Sequence, residues 1–536
     1  MADKRHSTQG EGKGWFMATL QRCIPCGARQ GVQAKKNLAV SEKVVKAISK
    51  KNLPEGGFSI STLLLNRDPS RSFAKHYRQG SRIGAGGFGT VWNCKHILTD
   101  NDRAVKIVAK TQVKEDMEFV FTEVEILLTL DHPNIAKLYE YFEDQGQLFM
   151  VTELCNVGDF GKLHRMKQPM ETLRPLLRDV VAGLGYCHAH GIVHRDLKFE
   201  NCLIAEGRTR QIGKVIDFGL SAIKSISRQE ENDERWLTEP LGTKYFAAPE
   251  VIDPKQKYGS KCDIWSSGVM IFIFFTNEHP FAEDASKIDT RTLFKAIRNG
   301  RYRDSLLKAN KVPASAKELL AQMLNKDQTK RIDAERALNM EWLRPTDCKE
   351  LEVSQVLNKS KTQALCKRLN SWSDTSRFDR VLLMLSGHQA KMSEVNELRA
   401  AFMALDKNAD GQISREELTK GLNSVSGLKK GEMTLKADIF QWLDCNRNSK
   451  LDYSEWLCAT LESEQIASQN TIKELFNYFD ADGGGKISQQ ELAVVLKNEE
   501  EVRDVIQRHD SSRDGQLDFQ EFQHIMMALA ERRSSE

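Results

Sequence analysis

Residues 192–201 read IVHRDLKFEN. A short apolar lead is followed by a histidine, an arginine, an aspartate, a lysine and an asparagine. So many ionisable and amide groups in ten residues make a polar centre, and the rest of the chain must supply what it acts with. Upstream, residues 84–91 read GAGGFGTV, the pattern G-x-G-x-x-G-x-V. Glycines there let backbone N–H groups approach an anion with no side chain in the way. Residues 104–107 read AVKI, placing Lys106 in a strand-like run, and Glu123 lies in the helical pattern FTEVEILLTL. Asp217-Phe218-Gly219 follows IGKVI, and Ala248-Pro249-Glu250 closes the segment after it.

In order and spacing these stretches resemble a protein kinase catalytic domain, over about residues 77–343. The resemblance implies an α+β bilobal fold with ATP and Mg²⁺ as cofactors. It assigns the cover of ATP to Ile83, Gly84, Gly86, Gly89 and Val91, and the α- and β-phosphates to Lys106, oriented by Glu123. Asp217 and Asn201 would hold Mg²⁺, Asp196 would accept the proton of the incoming hydroxyl, and Lys198 would reach the γ-phosphate. The backbone of Glu153–Cys155 would bind adenine, with Thr152 guarding the back of the pocket. Asp159 and Glu200 stand where related kinases face ribose or a basic substrate residue, so substrates carrying Arg or Lys near the Ser or Thr are expected. Asp263 and Arg331 read as structural, the first bracing the catalytic loop and the second pairing with Glu250. Phe199 replaces the usual proline, which removes a fixed φ but no ligand. The acidic stretch RQEENDER (228–235) is either a solvated loop or a source of a carboxylate for Arg195, and Thr238 and Thr243 are hydroxyls open to modification.

The C-terminal third repeats itself. Four twelve-residue segments, 406–417, 444–455, 480–491 and 510–521, each begin with Asp, end with Glu and carry Ile or Leu at position eight. Helical patterns flank them, as Val395, Leu398, Phe402 and Leu405 show. Ca²⁺ takes six to eight oxygen ligands from positions 1, 3, 5, 7, 9 and 12 of such a loop, position 7 through its carbonyl. Candidate ligands are Asp406, Asn408, Asp410, Gln412 and Glu417 in loop one, and Asp444, Asn446, Asn448, Lys450 and Glu455 in loop two. Loop three offers Asp480, Asp482, Gly484, Lys486 and Glu491, and loop four Asp510, Ser512, Asp514, Gln516 and Glu521. The repeats resemble paired EF-hands. Ser449 stands at the sharp turn of loop two and Gly484 removes a side-chain oxygen from loop three, so loops one and four are ranked tighter.

A kinase followed by four such loops resembles the calcium-dependent protein kinases of plants and protists. That resemblance implies a multidomain chain: an N-terminal extension read as flexible (1–76), the catalytic domain (77–343), an autoinhibitory junction (344–394) and an all-α EF-hand domain (395–530). RVLLMLSGHQAKMSEVNELR (380–399) is expected to form an amphipathic helix that docks on the EF-hands when calcium opens them. The implied function is a serine/threonine kinase, inhibited without calcium and activated by it.

Bulk properties agree. The 536 residues carry a net charge of only +4, too weakly biased for a nucleic-acid binder. Eleven unpatterned cysteines suit a reducing compartment, and no secretory or membrane-spanning apolar run is present. A cytoplasmic monomer is expected. Ala2 in MADKRHST does not support N-myristoylation. Cys23 and Cys26, among basic residues, are either unmodified thiols or palmitoylation sites for reversible membrane association. Two rival readings remain at this stage: a catalytically dead calcium scaffold, and a constitutive kinase whose EF-hands recruit partners.

Overall fold

Alternating apolar residues and glycine-bearing turns give the first large element, a five-stranded antiparallel sheet. Its strands are Tyr77–Gly86 (β1), Gly89–His96 (β2), Asp102–Ala109 (β3), Leu138–Glu143 (β4) and Gln147–Thr152 (β5), in the order β1-β2-β3-β5-β4. In this computed structural model the described residues are 58–65, 71–86, 89–113, 116–208, 210–223, 243–253, 255–284, 287–344, 353–425, 435–436 and 438–535. They belong to one unit, Val40–Glu536. The β1–β2 hairpin pairs Gly84 with Val91 and Gly86 with Gly89, and β2 pairs Val91 with Lys106 on β3. A side chain at Gly89 would meet the Ile107 carbonyl at 2.3 Å, so the hairpin can lie this close to β3 only with glycine there.

Before the sheet, Ile60–Leu65 forms a helix (α1). The sequence places these residues in a flexible extension, yet Phe58, Ile60, Leu63 and Leu64 are buried. After β3 comes Met117–Thr129 (α2), whose buried Val120, Val124, Ile126 and Leu127 hold it to the sheet while Glu123 faces β3.

The second lobe is helical. Met170–Ala189 (α3) and Lys261–Thr276 (α4) form its centre, and α4 is apolar nearly all round, as a helix enclosed on every side must be. A small sheet of Gly158–Asp159 (β6), Cys202–Ala205 (β8) and Ile212–Val215 (β9) carries the IVHRDLKFEN loop between it and a two-strand ladder, Ile192–Val193 (β7) with Ala222–Ile223 (β10). Arg331, 1% exposed, donates to both carboxylate oxygens of Glu250 at 2.5 and 2.9 Å. Removing one member of a buried pair strands the other charge. Arg331→Met is therefore expected to cost about 3–5 kcal/mol, read as an earlier denaturant midpoint for this lobe.

The C-terminal third is a set of helices around the four loops: Lys359–Ser371 (α5), Arg377–Gln389 (α6), Met392–Leu405 (α7), Arg415–Asn423 (α8), Ile439–Leu443 (α9), Tyr453–Thr460 (α10), Gln469–Phe479 (α11), Gln489–Leu496 (α12), Glu499–His509 (α13) and Phe519–Ser535 (α14). Loops one and two join through Ile413 and Leu451, and loops three and four through Ile487 and Leu517. The single amphipathic helix expected over 380–399 is not found. Chain direction changes at Ala390, where Lys391 and Glu394 cap a new helix, α7. Nor is α6 one-sided: Phe378, Asp379 and Val381–Gln389 are all buried. It packs on α10 and α11, with the Phe378 and Phe479 rings 5.9 Å apart.

Candidate functional site

Strand β3 and helix α2 bring the first ion pair together. Lys106 Nζ donates to Glu123 Oε1 at 2.6 Å and to Asp217 Oδ1 at 3.1 Å. Burial opposes the ammonium, but Glu123 and Asp217 outweigh it and hold Lys106 above its ordinary value. Lys106 in turn keeps the Asp217 carboxylate ionised, below the usual range. Asp217 sits at a φ of +62°, which turns its carboxylate back toward Lys106 and the Gly219 N–H.

The loop after β7 supplies the second cluster. Asp196 accepts from Lys198 Nζ (2.5 Å), from the Thr243 N–H and hydroxyl (both 2.9 Å) and from Asn201 Nδ2 (3.2 Å). Asn201 Nδ2 also donates to the Asp196 carbonyl at 2.8 Å. Asp263 braces this loop from below, its carboxylate accepting the His194 and Arg195 N–H groups at 2.9 Å each. Arg195 spends its guanidinium on the carbonyls of Leu220 (2.5 Å) and Ser221 (3.0 Å), tying the loop to the segment after Asp217-Phe218-Gly219. Thr243, one of the two hydroxyls open to modification, donates that hydroxyl to Asp196, a contact not expected from the sequence. Phe199 stacks on His164 at 5.5 Å and packs edge-on against Phe246 and Phe274, so packing replaces the rigidity of a proline.

Ile83, Gly84, Gly89 and Val91 lie on the hairpin over this cleft, with Ile83 50% exposed. Gly87 and Phe88 at its tip, the acidic stretch 228–235, Thr238, Cys23 and Cys26 lie outside the described residues. Asp159 accepts from the Lys162 N–H and has Arg165 3.9 Å away, while Glu200 is exposed. Glu153 is buried: its carboxylate meets Lys214 at 2.7 Å and Arg399 at 3.7 Å, and its N–H donates to the Lys137 carbonyl at 2.8 Å.

That Arg399 contact crosses from the C-terminal third and has no signature in the sequence around it. Arg399, on α7 and 0% exposed, also donates to the Glu206 carbonyl at 2.7 Å. Ser454 donates through its N–H and hydroxyl to Asp131 at 2.8 and 2.9 Å. A side chain at Gly411 would lie 2.1 Å from His132, between α2 and β4, and 2.8 Å from Tyr186 on α3, so loop one seats directly where the two lobes meet. His388 meets the Tyr139 carbonyl at 3.1 Å, and Asn101 and Arg103 donate to that of Gln389. The calcium-loop region thus grips both lobes behind Glu153, while every described hydrogen bond of Asp196, Lys198 and Asn201 stays within the bilobal part.

Carboxylates crowd together in the first and third of the four loops. Burial, then crowding by Asp410 and Glu417, pushes Asp406 up to about 8, as expected of carboxylates that need a cation between them. In loop three, ranked low, Asp480, Asp482 and Glu491 nevertheless bring ligand oxygens within 4.8 Å of one another. Ser449 in loop two adopts a φ of +68°, the strained turn expected where glycine is missing. Each loop pair also carries an internal cation. Lys450 Nζ lies 2.5 Å from Asp410 in loop one, and Lys486 bonds Asp514 in loop four. Both lysines are at position seven and both partners at position five. Because calcium must displace the ammonium, Lys450→Met is expected to tighten binding at loop one by about twofold to fivefold, read by calorimetry.

Three family models match the chain: a protein kinase domain over residues 77–343, an EF hand over 398–422 and an EF-hand domain pair over 469–527. The chain is 30% identical to calcium-dependent protein kinase 4 of Plasmodium falciparum over 95% of its own length and 96% of that protein. It is 31% identical to calcium-dependent protein kinase 4 of Plasmodium berghei, covering 85% and 87% of the two chains. To calcium-dependent protein kinase 22 of Arabidopsis thaliana it is 29% identical, covering 85% and 91%.

Proposed function

Because the chain belongs to the calcium-dependent protein kinases, we propose that its own EF-hand loops govern phosphoryl transfer at the Lys106–Asp196–Asp217 centre. It is a calcium-activated serine/threonine protein kinase, using ATP, Mg²⁺ and Ca²⁺ on protein substrates. The observation that carries the catalytic reading is the closed Lys106–Glu123 pair at 2.6 Å with Asp217 on the same ammonium.

Lys106 offers a fixed positive charge to the nucleotide phosphates, held in place by Glu123. Asp196 is oriented by Thr243, Lys198 and Asn201, which leaves its carboxylate to accept the proton of a substrate hydroxyl and set that oxygen in line. Asp217 and Asn201 are the residues to hold Mg²⁺, which when bound supplies charge that offsets the transferring phosphoryl group. Glu153, fixed by Lys214, Arg399 and the Lys137 carbonyl, would have its own carbonyl left for adenine. Asp159 and Glu200 support a preference for Arg or Lys near the acceptor hydroxyl.

Inhibition without calcium belongs to the same proposal. Here α6 packs among EF-hand helices, its last residues His388 and Gln389 bonded to the first lobe, and stands clear of Asp196; calcium would stabilise this arrangement over one in which the junction enters the catalytic cleft. We further propose a cytoplasmic monomer, with Cys23 and Cys26 supporting reversible membrane association. Peptide phosphorylation titrated against free calcium tests the reading. A steep rise from a low baseline is expected; equal rates in calcium and in chelator would favour a constitutive kinase.

A further inference from the structure

Residues Phe58–Leu65 occupy a four-way junction. The Phe58 N–H donates to the Cys445 carbonyl at 3.0 Å, one residue past the first ligand of loop two, Asp444. The Tyr478 hydroxyl donates to the Leu63 carbonyl at 2.6 Å, two residues before the first ligand of loop three, Asp480. The Arg377 guanidinium, at the start of α6, lies 5.9 Å from the Phe58 ring centre. On its other side α1 packs against α2, the helix that carries Glu123. One short segment thus touches both EF-hand pairs, the junction helix and the helix that completes the catalytic ion pair.

A six-residue helix is far too short to hold itself together in water. Its order must come from the surfaces on either side, so a change at either surface is felt at the other. A mere filler would need apolar contact alone. Here the backbone of the segment is bonded to loop two at one end and to the entry of loop three near the other, the elements that calcium reshapes.

We propose that Phe58–Leu65 is an activating strap, positioning α2, and with it Glu123, according to the state of calcium loops two and three. The proposal rests on calcium control as argued above. Its residues are positioning residues and touch no reacting atom.

The test uses the full chain with Leu63→Asp and, separately, Tyr478→Phe. Three quantities are read on each: peptide phosphorylation against free calcium, calcium binding by calorimetry, and amide hydrogen exchange across residues 117–129 with calcium and with chelator. In the wild type, calcium is expected to slow exchange in that helix. Leu63→Asp is expected to bind ATP and calcium at loops one and four as before, to lose at least about tenfold of its calcium-stimulated rate, and to show no calcium response in that exchange. Tyr478→Phe should raise the half-maximal calcium about threefold, the effect of one hydrogen bond. Full stimulation of Leu63→Asp with an undiminished exchange response overturns the strap. Should that variant aggregate, an unchanged midpoint and unchanged exchange in Tyr478→Phe overturn it equally. A wild type whose rate ignores calcium sinks the functional reading instead; the strap is then judged on exchange, and an equal response in both proteins overturns it.

Discussion

With Asp217→Ala, phosphate transfer at saturating calcium should fall by about a thousandfold, while the calcium-binding isotherm stays where it is. Asp217 is the point where the two clusters of the cleft meet. Its carboxylate accepts Lys106 at 3.1 Å and is kept ionised by that ammonium, so its charge is available for Mg²⁺. Electrostatic groups aimed at developing charge act strongly because they are already oriented when the reaction occurs. The side chain is about one-third exposed in the cleft and is no part of the apolar core, so the loss should appear in kcat and not in the melting curve. Asp217→Asn separates charge from shape. It keeps the volume and one acceptor, and a deficit of similar size assigns the effect to the lost charge. Retention of even a tenth of the wild-type rate in Asp217→Ala would revive the reading of this chain as a calcium scaffold.

Residues whose chemistry demands a type at a spacing were legible in the sequence. Lys106 meets Glu123 and Asp217, and Asp196 meets Asn201, the pairings expected where phosphate, metal and proton would each need a particular group. What stayed hidden depends on partners far along the chain. Arg399 lies on an ordinary-looking EF-hand helix, and nothing near it in sequence announces Glu153 or the Glu206 carbonyl. Asp131 likewise looks like a loop residue until Ser454 arrives. Helix α6 was misread for a physical reason: Val381, Leu382 and Leu385 mark one apolar face, but Ser386, His388 and Gln389 are buried too, through bonds to Leu382 and Tyr139 and as an acceptor for Asn101 and Arg103. Six residues of ISTLLL cannot show a helical period, so the sequence does not distinguish α1 from the extension around it. Loop three lacks a side-chain oxygen at Gly484, and the N–H groups of Gly484 and Gly485 donate to Asp482 and Asp480 and hold those carboxylates in place. Those backbone donors are invisible to a count of side chains.

The second large effect concerns calcium. In the double variant Glu417→Gln, Glu521→Gln, stimulated activity should collapse toward the level seen in chelator, at calcium concentrations that saturate the wild type. Each glutamate closes its loop from position twelve. Glu417 accepts the Lys407 and Ser414 N–H groups at 3.1 and 2.9 Å, and Glu521 those of Ser512 and Asp518 at 2.9 and 3.0 Å. An amide can keep part of that scaffold but brings no negative charge and a poor bidentate grip on a hard cation. Calcium shifts the equilibrium only by binding the active arrangement more tightly, and a hundredfold preference at one site is worth about 2.7 kcal/mol. Two such sites give about 5.5 kcal/mol, enough to carry a population from 1:99 to 99:1. Losing one site should move the midpoint and flatten the response; losing both should abolish it, unless loops two and three suffice. They face handicaps of their own, the strained Ser449 turn in one and the missing position-five side chain in the other. ATP affinity measured in chelator must stay unchanged, since neither glutamate approaches the cleft. A double variant that still turns on fully with calcium would place control in loops two and three, the pair of loops that the Phe58–Leu65 segment touches.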